Sequence, residues 1–377
     1  MTVVDTGNGV GRHDARRRRI AGRSLTAAVV LFAAVVAVPV AAAAAGSLGT
    51  ATVAATPAFV SPVSVVNGAL AWAAPSGSGH RFEVVVRSGG HKHALSATSA
   101  VGWIDGVKLG TNATGQLLVV YSHCPHSPFA NGTPGHAGTD GCRLWWAPTS
   151  GGSAHRISAA PADTSMGVAV GGTVFFAVQP NTADTSQPAQ IETAQLGGAG
   201  AAQELTVPTP DGATIDDISA TGTAVAFSEA PAVANQAMGI SEIWLDSGAA
   251  APELIAKVTS DTTPSDDSAQ FFDGLTLTSS DVYAFLYSQP GVYPPVASQL
   301  EQIALPGLAT STAAWTPGTS LSAYGVNATA FDPTSNRLAL GLFSPEVNFS
   351  NASATCSTHI GSTRACPVVQ TGPVTFG

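Results

Sequence analysis

An all-β fold of repeated four-stranded antiparallel units is what the sequence predicts, on three observations. Only 10% of the 377 residues are charged, against about a quarter in ordinary globular chains, so the side chains that solvate helices are scarce. The 40 Gly and 25 Pro punctuate short β-branched and aromatic runs, and no stretch carries the amphipathic helices of about 10–15 residues that βαβ units require. A turn flanked by two apolar strands recurs near residues 68, 115, 172, 222, 280 and 336, at intervals of 47, 57, 50, 58 and 56.

Each unit justifies itself by the same pattern. The first reads as strands over 63–66, 69–73 and 81–87 around Asn67-Gly68. The second has 107–109, a turn at Thr114-Gly115, then 116–121, 142–147 and 155–158. The third places Gly171-Gly172 between 167–170 and 173–178 and continues with 190–196 and 203–207. The fourth has Thr221-Gly222 between 215–219 and 223–228, then 241–246 and 253–258. In the fifth, Ser279-Ser280 separates 275–277 from 282–287, ahead of 299–305 and 313–315. The sixth runs 328–331, Ser335-Asn336, 338–343, 367–369 and 373–376. A four-stranded unit cannot bury both faces alone and must stack on its neighbours. Units of this size point to a β-propeller, and six blades closing a ring leave few exposed edges. The propeller is therefore expected over residues 58–377. A tandem of two β-sandwiches is the other architecture considered, but its repeat would be roughly 100 residues.

Residues 328–340, ATAFDPTSNRLAL, resemble the strand-turn-strand of TolB-like, WD40-like propeller repeats, with Asp332-Pro333 and Ser335-Asn336 making the turn. Residues 241–245, SEIWL, look like the third strand of such repeats. The resemblance implies the fold and an extracytoplasmic binding role; it implies no activity.

The N-terminus predicts export. Arg16, Arg17, Arg18 and Arg19, flanked by Arg12 and Arg23, lead into an uncharged run over 25–45 that ends in Ala41–Ala45 after Pro39. A positive segment, an apolar segment and small residues at a cleavage site make a signal peptide over 1–45. An uncleaved membrane anchor is the alternative, because that run just spans a bilayer with the arginines inside. Residues 46–57, rich in Ala and Thr, read as a linker. Without residues 1–45 the chain keeps 9 of its 15 basic and 22 of its 24 acidic residues, a formal charge of −13. Nucleic acid is excluded as a partner on that balance, and membrane contact is expected only through the N-terminal segment.

All four cysteines lie beyond residue 45 in Gly/Ser/Thr/Pro-rich segments. Three pairings are open; closeness favours Cys124 with Cys142 and Cys356 with Cys366, as suits an oxidising compartment. Zinc is the competing reading at the first pair, since His123, His126, His136 and Asp140 surround it. Copper is a second candidate for the same ligands.

No nucleophile elbow, phosphate-binding loop or dinucleotide fingerprint is present. His80, His91 and His93 flank or follow the strand over 81–87, and His91 and His93 would share one strand face. Asp261, Asp266, Asp267 and Asp273 could supply oxygen ligands to calcium, but their spacing is not that of a calcium loop, so solvation of an inter-strand loop is the plainer reading. Asp216-Asp217 is read in the same way. The adjacent Trp145 and Trp146 must face opposite ways on a strand, one of them available to stack on a sugar or a partner. Tyr283, Tyr287 and Tyr293 with Pro294-Pro295 suggest an aromatic loop at the rim. The sequence thus predicts a secreted or envelope-associated, non-enzymatic scaffold without a required cofactor, binding an envelope or secreted protein or a cell-surface glycan. The alternative is a glycoside hydrolase or lyase with paired carboxylates at the central channel.

Overall fold

The computed structural model describes residues 51–55, 62–76, 81–125, 141–162, 164, 166–178, 189–198, 200–205, 213–230, 240–248, 251–259, 268–290, 296–314, 325–343, 359–360, 363–364, 368–374 and 376. The predicted signal segment, His126, His136, Asp140, Tyr293, Cys356, Cys366, His80, Asp261, Asp266 and Asp267 lie outside them. No helix among the described residues is long and apolar enough to cross a membrane.

The first strand, β1 (Ala51–Ala55), belongs to the last blade. Blade 1 is β2 (Val63–Val66), β3 (Ala69–Ser76), β4 (Arg81–Ser88) and β5 (His91–Val101). Blade 2 is β6 (Trp103–Thr111), β7 (Leu117–Cys124), β8 (Arg143–Pro148) and β9 (His155–Arg156); blade 3 is β10 (Met166–Val170), β11 (Thr173–Val178), β12 (Gln190–Gln195) and β13 (Gln203–Leu205). Blade 4 is β14 (Thr214–Thr221), β15 (Ala224–Ala230), β16 (Ile240–Asp246) and β17 (Glu253–Thr259); blade 5 is β18 (Ser268–Leu277), β19 (Asp281–Pro290), β20 (Val296–Ala304) and β21 (Thr310–Ala314). Blade 6 takes β22 (Gly325–Asp332) and β23 (Arg337–Phe343), passes a small hairpin of β24 (His359–Ile360) and β25 (Thr363–Arg364), and continues with β26 (Val368–Pro373). Every blade is antiparallel, and the six turns read from the sequence join the first two strands of the six blades.

The innermost strands β2, β6, β10, β14, β18 and β22 touch in that cyclic order, and β22 returns to β2. The chain is a closed six-bladed β-propeller. Two details differ from the sequence expectation. Residues 51–55, counted there in the linker, form β1 and pair with β26 from Ala51↔Thr371 to Ala55↔Val368. The strand expected over 373–376 is thus replaced by one from the other end of the chain, because joining the two ends in one sheet closes the ring without leaving a blade three-stranded.

Strand alternation fills six separate cores, one between each pair of adjacent blades. Val119, Tyr121 and Ala147 of blade 2 pack on Val84 and Val86 of blade 1, whereas Leu118, Val120 and Leu144 of the same strands pack on Val174 and Phe176 of blade 3. The series continues between blades 3 and 4 (Phe175, Ile215, Phe227), 4 and 5 (Ile243, Phe272, Ile303), 5 and 6 (Phe285, Leu300, Leu338), and 6 and 1 (Ala339, Val369, Trp72). Both faces of the central strands are buried, which is why runs such as Leu117–Tyr121 look uniformly apolar instead of alternating.

Small polar side chains tie neighbouring blades together. Ser64 Oγ accepts from Leu109 N (2.8 Å), Ser241 Oγ from Phe272 N (3.0 Å) and Ser219 Oγ from Leu277 N (2.9 Å), each across a blade boundary. The ring closure has its own lock. Buried Asp332 accepts Gly68 N of blade 1 (2.8 Å) and Thr334 N (3.0 Å), and the hydroxyl of Ser335.

Candidate functional site

Four innermost strands slip in register, β22 between Val326 and Ala328 and the other three beside a carboxylate. The ladder slips between Ile104 and Val107 in β6, between Ile215 and Asp217 in β14, and between Asp273 and Thr276 in β18. A bulge leaves a residue outside the ladder and re-aims its neighbours. Here it does so at Ile104-Asp-Gly-Val107, Ile215-Asp-Asp-Ile218 and Phe272-Asp-Gly-Leu275, so that blades 2, 4 and 5 each bring a carboxylate to the strands lining the axis. Gly274 serves this packing directly: its φ is +63°, and a Cβ there would collide with Thr329 Oγ1 of blade 6. Tyr287 OH and Thr329 Oγ1 hydrogen-bond at 2.8 Å beside it.

Asp217 is the hub. Its Oδ2 takes the Lys108 ammonium of blade 2 at 2.8 Å and Leu275 N of blade 5 at 2.7 Å, while Oδ1 accepts Ile218 N at 2.8 Å. One carboxylate therefore joins blades 2, 4 and 5. Among the described residues Asp105, Asp216 and Asp273 form no ion pair. Asp216 is pushed up to about 8 by burial first, then by the charge of Asp273, with Asp217 and Glu229 adding to it. Asp273 rises to about 7 through burial and the Asp217 charge, against the opposing pull of Lys108 and of Gly274 N. Burial alone raises Asp105 to about 6. Buried carboxyls that titrate near neutrality can hold or deliver a proton.

The aromatic and imidazole candidates are used differently. Trp145 and Trp146 do face opposite ways: Trp145 packs into the core shared with blade 1, Trp146 into that shared with blade 3. Both are half-buried, and His155 stacks on Trp146 at 4.7 Å. Tyr283 and Tyr287 form no rim loop; they lie buried on β19 in the core between blades 5 and 6, because alternation along 283, 285 and 287 aims them at Phe331 and Leu338. Cys124 and Cys142 form a disulfide across the segment holding the other histidines. His123 lies on β7 with its Nε2 buried and without a hydrogen-bond partner; burial lowers its pKa, partly offset by a hydrogen bond to the Val101 backbone. Among the described residues no group of three ligating side chains is arranged to hold a metal.

A second region stands out at the outer edge of blades 1 and 2. His91 and His93 share a face of β5, as expected, and His93 Nε2 meets Thr149 O of blade 2 at 2.7 Å. On the other face Lys92 is directly opposite Arg87, with its ammonium 5.6 Å from the Trp72 ring centre. His155 and Arg156 form the exposed outermost strand of blade 2.

No family model matches the chain, and no curated protein matches its sequence. Among solved structures it is similar to an acylaminoacyl peptidase in complex with a chloromethyl ketone (TM-score 0.42, 12% identity, 85% of this chain and 44% of that one). It is also similar to TolB from Acinetobacter baumannii (0.41, 11%, 81% and 65%) and to the SapL1 lectin in complex with alpha methyl fucoside (0.46, 12%, 77% and 92%). The chain spans less than half the length of the acylaminoacyl peptidase.

Proposed function

We propose that this chain is an exported propeller that binds a protein or glycan of the cell envelope, with residues 1–45 directing export and the ring doing the binding. The observation that supports it is the outer edge of blades 1 and 2, where β5 and β9 leave His91, Lys92, His155 and Arg156 exposed. A strand edge carrying charged side chains is protected from pairing with other sheets while still offering a recognition surface. The Cys124–Cys142 disulfide agrees with an extracytoplasmic location. In a test, the purified protein is immobilised and challenged with envelope extract; retention of one glycan or protein fraction, with no turnover of glycan or peptide substrate panels, is the expected result. Turnover without retention would overturn the reading.

A specific observation favours one second reading. Asp105, Asp217 and Asp273 bring carboxylates from three blades to the axis, as a glycoside hydrolase or lyase would need. Turnover of a glycan that disappears in Asp273→Asn, with the fold retained, would establish it over the first.

A further inference from the structure

The sparse charge of this chain is sorted by blade. Between residues 62 and 160, blades 1 and 2 hold six cations (Arg81, Arg87, Lys92, Lys108, Arg143, Arg156) against three carboxylates, Glu83, Asp105 and Asp140. Between residues 161 and 314, blades 3 to 5 hold 17 carboxylates and one cation, Lys257. A ring with a formal charge of −13 beyond residue 45 thus carries a cationic arc.

Within that arc the cations lack their usual partners. Among the described residues the ion pairs are Lys108–Asp217 and Lys257–Glu242, so Arg87, Lys92 and Arg156 face no carboxylate. Arg87 and Lys92 are directly opposite each other on β4 and β5, and like charges in that position repel. The Trp72 ring beneath Lys92 holds its stem without neutralising it. Arg156 pairs across the ladder with Trp145 and shares its face, turned toward blade 1. The His93–Thr149 bond ties the β5 edge to the loop that precedes β9, so the two outer strands are neighbours at the rim, with Arg87 and Lys92 on the blade 6 side of β5 and Arg156 on the blade 1 side of β9.

We propose that this rim binds an anionic glycan polymer, one whose repeats carry carboxylate or phosphate groups and which passes over the β5 edge to reach the cations on both of its sides. The inference rests on the envelope-binding reading and names the partner's chemistry. An anion lodged between Arg87 and Lys92 removes the cross-strand repulsion that the free protein retains. Beyond Lys92 the exposed side chains of β5 are small at Ala94, Ser96 and Ala97, with Val101 the one large apolar side chain exposed there, so the strand offers no aromatic anchor of the kind that dominates protein interfaces. Point charges on both sides of a strand edge suit a flexible repeating polymer better than a flat protein surface. At physiological ionic strength the field of an exposed charge decays over about 8 Å, so the acidic blades do not cancel the rim's local potential.

The test measures binding of fluorescent polygalacturonate (carboxylate) and poly(glycerol phosphate) (phosphate), with neutral dextran as control, by anisotropy at 50 and 200 mM salt. Binding of at least one polyanion and none of dextran is expected. With three cations engaged and a slope near −0.7 per contact, the fourfold rise in salt should weaken binding by about 20-fold. Lys92→Glu/Arg156→Glu should cost at least about tenfold in affinity while the melting temperature holds, and Lys92→Gln/Arg156→Gln a smaller loss of the same sign. Binding of either polyanion that the charge reversal leaves unchanged overturns the inference, as does equal binding to dextran. Salt-sensitive self-association with no polymer binding would overturn it in favour of the acidic arc of a second copy. If envelope extract still yields a partner that the charge-reversed protein retains, the binding function stands and only this assignment of the partner fails.

Discussion

Asp105 offers the cleanest test of the axial chemistry, because burial is the single cause that moves it. Its carboxyl is raised from 3.8 to about 6 in the folded chain. An acid whose folded pKa lies above its unfolded value contributes most below the unfolded value, and that contribution is lost as the pH rises through the folded one. At 1.36 kcal/mol per unit, the loss between pH 4 and pH 7.5 comes to about 3 kcal/mol. Asn keeps the shape and has no charge to desolvate. Asp105→Asn should therefore be about neutral at pH 4 and stabilising by up to about 3 kcal/mol at pH 7.5, with most of the change between pH 4 and 6. For a ring of this size about 1 kcal/mol moves the midpoint by roughly 1.4 °C, so the two melting curves should separate by about 4 °C across that range. Thermal unfolding of both proteins at half-unit pH steps reads this directly. The difference between them cancels the contributions of Asp216 and Asp273. A separation that does not vary with pH would refute the claim that Asp105 is desolvated in the folded chain.

The other expectations concern the joints between blades. Lys108→Met leaves Asp217 holding Leu275 N and Ile218 N without its cation; urea unfolding should show a loss of about 2–4 kcal/mol, and a carboxyl NMR titration should show Asp273 moving further upward. Asp332→Ala strands the N–H groups of Gly68 and Thr334 at the junction of blades 6 and 1, for a cost of about 1–3 kcal/mol in the same assay. Replacing Cys124 and Cys142 by Ser opens a loop closed across a separation of 18 residues, which should lower stability by about 3 kcal/mol, matched by adding reductant to the wild-type protein.

The blade pattern was legible because each hairpin turn needs Gly, Asn or Ser at a fixed place between two apolar strands; Asn67 and Asn336, both at positive φ, and Gly172 mark three of the six. The third strand of blade 4 was legible in SEIWL for the same reason: its alternation matches burial on both faces. What escaped is non-local. β1 is a short run of Ala, Thr and Val whose strand character comes from the ladder offered by β26, more than 300 residues away, and composition alone makes such a run look like a linker. The buried tyrosines of β19 were misplaced because nearness in sequence to Tyr293 and two prolines outweighed the two-residue period that aims them at blade 6.

The axial carboxylates were missed for a different reason, and that reason bears on what they do. Reading acidic residues by local density grouped Asp273 with Asp261, Asp266 and Asp267, whereas the informative comparison is vertical, from unit to unit: apolar-Asp-Gly-apolar at 104–107 and 272–275, and apolar-Asp-Asp-apolar at 215–218. A bulge interrupts the two-residue period within the motif in each of these three units, so the motif looks like a fault in a strand until the units are aligned. Placing carboxylates there brings like charges together in blades 4 and 5 and buries a lone one in blade 2, which is costly unless protons or a cation relieve it. Lys108 pairs with Asp217 and partly offsets the rise of Asp273. Asp105, Asp216 and Asp273 are relieved by rising toward neutrality. Solvated loop carboxylates would need no such relief, and the axis of the ring is for that reason the place where this fold spends stability to keep titratable groups together.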